Sequence, residues 1–158
     1  LALVKKIRKA MPDISLSTDI IVGFPGETKK QFLNTVKVFK AVGFNMAYLS
    51  EYSSRPKTVA SFMKDDVSKK EKEYRKEYVN DILIKSSFSN NKKYVGKIVD
   101  VLIEKKRSDG FYEGHTKTYK TVILKEKCDK DLIGKFVKVK ITKALNFGLE
   151  GELEKSRN

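Results

Sequence analysis

Thiols and imidazoles are nearly absent from this chain: Cys128 is its single cysteine and His115 its single histidine among 158 residues. A lone cysteine forms no internal disulfide, and the pair cannot supply the ligand set of an iron–sulfur cluster or zinc site from this chain alone. Apolar runs are short, so no stretch reaches the ~20 residues of a membrane-spanning helix. The first residues also lack the pattern of a secretory signal peptide. Together these absences lead us to expect a reduced, cytoplasmic setting, no membrane attachment and no metal site within the chain.

Acidic residues are in the minority. The chain carries 34 Lys and Arg against 20 Asp and Glu, a net +14. Half of that excess, 17 against 10, lies in residues 89–158. A basic balance concentrated in one segment suggests a polyanionic partner, although lysine-rich surfaces also serve solubility.

Leu1, Val4, Ile7 and Met11 lie at helical spacing with lysines and Arg8 on the other side, and Pro12 stops this amphipathic helix. The chain opens inside that helix without an initiator methionine, so we expect a fragment or trimmed product of a longer polypeptide. Asp19–Val22 follows as a strand, its apolar run Ile20–Val22 expected to be buried on both faces. Thr28 with Gln31 forms a capping box, opening a helix to about Val42 that places Phe32, Val36 and Phe39 on one face and ends at Gly43. Met46–Tyr52 reads as the next strand, which makes a parallel βαβ pattern. Ser68 with Glu71 caps a further helix of about four turns, on which Tyr74, Tyr78 and Ile82 step by four as a packing stripe.

Beyond Ser86–Asn91 the pattern changes. Val95–Glu104, Gly110–Thr116, Thr121–Leu124, Phe136–Thr142 and Gly148–Leu153 are short, β-branched and alternating, as in a small closed barrel. We therefore expect an α/β part over residues 1–87, with a connecting helix over 68–87, and a small all-β barrel over 88–158. Two strands and three helices are too few to close a sheet, so the first part reads as the end of a larger domain.

Three places offer chemistry. The run from Ser17 to Thr28 joins a strand, a Gly23-Phe24-Pro25-Gly26 turn and a helix start, which sets main-chain N–H groups at the edge of a sheet where α/β proteins bind ligands. The plainer alternative is a tight βα connection. Arg55, after a strand and before Pro56, projects from a loop either to grip a phosphate or carboxylate or to brace the loop against Glu51. In the barrel, His115, Lys117, Tyr119 and Lys120 mix basic and aromatic groups around a turn, and Lys138, Lys140 and Lys143 extend a basic track. Such residues neutralise phosphates and stack on unpaired bases, or they form an ordinary solvated hairpin.

The wording of Ser17–Thr28, Ser-Thr-Asp-Ile-Ile-Val-Gly-Phe-Pro-Gly-Glu-Thr, resembles the fifth-strand segment of radical-SAM methylthiotransferases. Tyr52–Ala60 is similar to that family's Tyr-Ser-x-Arg-Pro-Gly-Thr-x-Ala segment, with Lys57 in place of the glycine. Gly134–Thr142 is similar to the last part of its TRAM domain, and Gly114 to Val122 to an earlier TRAM segment.

This resemblance implies the C-terminal part of a radical-SAM partial TIM-type barrel, followed by an OB-like TRAM barrel that binds tRNA. It further implies a MiaB-type enzyme that adds a methylthio group at C2 of N6-isopentenyladenosine next to the anticodon, with the threonylcarbamoyladenosine-modifying branch and a non-catalytic RNA-binding module as alternatives. Such an enzyme uses S-adenosylmethionine and two 4Fe-4S clusters, whose six cysteines this chain lacks. They would belong to a missing N-terminal portion of the same polypeptide, and the protein is expected to be monomeric. Gly23, Gly26, Glu27 and Arg55 are the implied cofactor contacts. Glu27 stands four residues after Gly23 rather than the three of the general radical-SAM pattern, which leaves helix-terminal work as an equal reading.

Overall fold

The computed structural model describes residues 1–126 and 131–154, so Cys128 lies outside the described residues. The chain divides into two compact units, one of residues 1–12 with 16–86 and one of residues 13–15 with those from Ser87 onward.

In the first unit, α1 (Ala2–Ala10) ends before Pro12, and β1 (Ser17–Val22) leads through the glycine turn into α2 (Lys29–Val42). Both halves of the Thr28–Gln31 capping box are present. Gly43 closes α2 in the left-handed region at φ 60°, which a residue without Cβ adopts freely. β2 (Met46–Glu51) pairs parallel with β1, from Ser17 opposite Met46 to Val22 opposite Glu51. A 3-10 turn (Val59–Phe62) and α3 (Lys69–Lys92) follow. Val22, Phe32, Val36, Phe39, Ala47, Val79 and Leu83 form the core of this unit.

Two expectations need correction. β1 is not buried on both faces: Val22 is 1% exposed but Ile21 is 56% exposed. The sheet has two strands, and its core lies on one side, so alternate residues face away from it. Nor does α3 stop near residue 87; it runs to Lys92, with Lys69–Ser86 in the first unit and Ser87–Lys92 in the second. In the first unit its innermost residues are Lys72, Arg75, Val79 and Leu83, whereas Tyr74 is exposed and Tyr78 and Ile82 pack only partly buried against the core. Two charged residues at the head of the inner row disguise it in a hydrophobicity pattern.

The second unit contains a closed five-stranded barrel of β3 (Ile98–Lys106), β4 (Tyr112–Thr116), β5 (Thr121–Leu124), β6 (Phe136–Leu145) and β7 (Gly148–Leu153), in the order β3-β4-β5-β7-β6. The neighbours are antiparallel except β5 and β7, and β3 pairs with β6 to close the ring. Val101, Ile103, Tyr112, Val122, Leu124, Leu132, Val139, Ile141 and Leu149 fill the interior. A Cβ at Gly114 would collide with the backbone of Leu102 and Ile103, so glycine lets β3 and β4 approach.

Gly114→Ala is therefore expected to destabilise the barrel by about 2 kcal/mol or more, because backbone rather than a movable side chain must yield. Urea denaturation of the chain followed by barrel tyrosine signals measures this, and an unchanged midpoint would refute it.

Candidate nucleic-acid interface and glycine turn

The glycine turn is held by carboxylates. Gly23 and Gly26 take φ of 69° and 79°. The Gly23 N–H donates to Glu27 Oε2 at 2.7 Å, and the Gly26 N–H donates to Asp66 Oδ1 at 2.7 Å. Glu27 Oε2 also accepts from Arg75 Nη1 at 2.6 Å, and Arg75 Nε donates to Glu71 at 2.8 Å. Burial works against the Arg75 charge, but the bonds to Glu71 and Glu27 outweigh it and hold the guanidinium above its ordinary value.

Lys72, also buried, donates to both oxygens of Asp65 at 2.7 and 2.6 Å. Its stem fills the space that a Cβ on Gly23 would need. A cavity of about 420 Å³ opens beside Gly26, Thr28, Ser68 and Arg75, with Glu27, Glu71 and Asp66 on its wall.

This geometry changes the reading of Gly23, Gly26 and Glu27 as cofactor contacts. The two glycine amides expected to face a ligand are already satisfied by carboxylates, and Glu27 is a brace for its own turn. Those N–H groups do not fit S-adenosylmethionine as donors in this arrangement. Of the cofactor candidates, Arg55 remains: it is exposed and has no ion-pair partner among the described residues. Its suggested partner Glu51 instead pairs with Lys76 at 2.8 Å. Lys57 adopts φ 68°, a left-handed conformation that glycine takes more readily than a residue with a side chain. Sequence reasoning missed Asp66, Lys72 and Arg75; the signal was a pair of cations three apart in line with Val79 and Leu83.

The barrel residues come together differently. Strand alternation sends His115 outward on β4, opposite Thr121 on β5 and Leu102 on β3, and Leu102 is itself opposite Phe136 on β6. His115 is fixed at both ring nitrogens, by Glu104 Oε2 at 3.0 Å and Thr121 Oγ1 at 3.3 Å. Tyr119 stacks on it with ring centroids 4.5 Å apart and planes 12° from parallel. Tyr119 is 79% exposed and has φ 60°. Lys117 is exposed in the same turn, while Lys138 and Lys140 alternate outward along β6, none with an ion-pair partner among the described residues. Lys143 is paired with Glu150. Phe136, 74% exposed, was overlooked as a candidate because it reads as the first core residue of a strand.

Lys120 departs from expectation. It is 7% exposed, and its ammonium donates to Asn91 Oδ1 at 2.7 Å, while Asn91 Nδ2 donates to the carbonyls of Leu145 and Gly148. Lys120 thus ties the β4–β5 turn to the end of α3, which Asn91 in turn ties to the β6–β7 hairpin, and it is not on the surface to meet a phosphate. Desolvation, with a contribution from the Lys93 charge, lowers its pKa to about 8.

The unfolded chain, with an ordinary lysine value of 10.5, then binds more protons than the folded barrel between about pH 8 and 10.5, so stability gains from this group as pH rises through that window. Melting curves of the chain and of Lys120→Met across that range test this. The difference between them should change along the window, and parallel curves would contradict the assignment.

A closed five-stranded barrel with one parallel pair has an OB-like architecture. Residues 92–153 match the family model described as TRAM domain. Over nearly its whole length the chain is similar to proteins named tRNA-2-methylthio-N(6)-dimethylallyladenosine synthase. It is 43% identical over 155 residues to that of Bacillus cereus strain B4264, covering 97% of this chain and 30% of the relative. The Bacillus cytotoxicus protein gives the same identity and coverage, and that of Bacillus mycoides strain KBAB4 is 42% identical over 157 residues, or 98% of this chain and 30% of its own. The chain thus resembles the radical-SAM methylthiotransferases across both units and spans about 30% of the length of these relatives.

Proposed function

We propose that this chain is the C-terminal part of a tRNA methylthiotransferase that adds a methylthio group at C2 of N6-isopentenyladenosine beside the anticodon. The observation that carries the reading is 43% identity to tRNA-2-methylthio-N(6)-dimethylallyladenosine synthase running through both units, rather than through the barrel alone. In this reading the first unit is the end of a radical-SAM partial barrel. Its two parallel strands and the exposed Ile21 and Tyr48 support a place within a larger sheet.

In such an enzyme the radical chemistry would come from S-adenosylmethionine and a cluster held by cysteines that this chain does not carry. This chain's own residues do other work. Glu27, Arg75 and Asp66 hold the glycine turn in one shape, and Arg55 offers a fixed positive charge to a phosphate or carboxylate. Lys117, Lys138 and Lys140 neutralise tRNA phosphates, and His115 with Tyr119 presents a ring surface to bases. The enzyme acts as a monomer in the cytoplasm. No helix among the described residues is long and apolar enough to cross a membrane.

Nucleoside mass spectrometry of tRNA from cells deleted for the parent gene tests the proposal. Loss of the methylthio group with accumulation of plain isopentenyladenosine is expected. Unchanged methylthiolation contradicts it, and loss confined to threonylcarbamoyladenosine moves the protein to that branch.

A further inference from the structure

We propose that the outer face formed by β4, β3 and β6 takes unpaired RNA bases on two separate rings, the His115–Tyr119 stack and Phe136, and discriminates against duplex. This rests on the tRNA reading above and specifies which part of an RNA the barrel accepts. Three observations carry it.

First, Tyr119 holds a left-handed backbone conformation that disfavours a side chain, and it does so with its ring exposed on top of His115. The barrel interior gains nothing from that placement. Second, Phe136 is 74% exposed at the β6 end of the same cross-strand row, with half-buried Leu102 as an apolar floor between the two rings. His115 and Phe136 lie two strands apart, about 10 Å at ordinary sheet spacing, within reach of two bases of one extended strand. Third, each ring has close by an exposed lysine without an ion-pair partner among the described residues: Lys117 in the turn of Tyr119, and Lys138 two residues along β6 from Phe136.

A stacked, paired base hides its faces, whereas an unpaired one offers them, so aromatic planes beside lysines select single strands and loops. Glu104 is engaged by His115, and Asp100 stands opposite Lys138 in register without an ion pair to it.

The test uses the 158-residue chain and three fluorescein-labelled RNAs: an unstructured oligoribonucleotide, a hairpin with a loop, and a blunt duplex. Binding is followed by anisotropy at several salt concentrations. The parent chain is expected to prefer the unstructured RNA and the hairpin over the duplex. Phe136→Ala and Tyr119→Ala should each weaken binding of unpaired RNA at least about fivefold with the salt slope unchanged. Phe136→Trp should retain affinity, and Lys138→Gln should reduce the salt slope by about one. Both ring positions are exposed, and circular dichroism confirms folding of each variant. Equal affinity for duplex, or alanine variants that bind like the parent, overturns this inference while leaving tRNA binding intact. Absence of binding to every RNA at low salt overturns both.

Discussion

In a closed β-barrel each strand residue has two destinations, the interior or the outer surface, and the interior here is already filled by Val101, Ile103, Tyr112, Val122, Leu124, Val139, Ile141 and Leu149. This constraint decides what the second unit presents to its surroundings. With Val139 and Ile141 inward, Lys138 and Lys140 must point outward. With Tyr112, Gly114 and Thr116 inward, His115 must stand outside, where pairing register aligns it with Leu102 and Phe136. A shift of one residue in β4 would bury the histidine and expose its neighbours. The glycine at 114 and the bulges beside Ile103 and Ile141 fit the strands to this register.

Buried charge follows a second logic. A buried cation is tolerated when its bonds compensate for lost water, and removing one partner of such a pair costs ~3–5 kcal/mol because the other remains charged. Lys72 and Arg75 meet that condition through Asp65, Glu71 and Glu27, and Arg75 keeps its charge against desolvation. Lys120 meets no carboxylate among the described residues, only the neutral amide oxygen of Asn91 and the face of the Tyr94 ring, so desolvation prevails and its proton is held weakly. The same residue type thus serves as a clamp in one unit and a neutralisable strut in the other.

Much of this was legible in the sequence, for local reasons. Side-chain caps marked the starts of α2 and α3, Gly43 marked an end, and alternating β-branched runs located every barrel strand to within a few residues. What was not legible depended on partners distant in the chain. Ile21 read as core because its apolar run promised a covered sheet, whereas only one side of this sheet has a core. The end of α3 was misplaced because the polar run Ser86–Asn91 reads as a linker, yet Asn91 is buried and bonded to carbonyls 54 and 57 residues away. Lys120 resembled its surface neighbours until Asn91 claimed it. The glycine amides of the turn were read as free donors, since nothing local reveals that Asp66 lies 40 residues on.

The most direct measurement of the central claim, that the outer aromatic and basic face of the barrel is where tRNA docks, is ultraviolet cross-linking of the chain to tRNA with adducts mapped by mass spectrometry. Nucleotide adducts are expected on Tyr119 and Phe136. Adducts confined to exposed aromatics elsewhere, such as Phe62 or Tyr48, would contradict it.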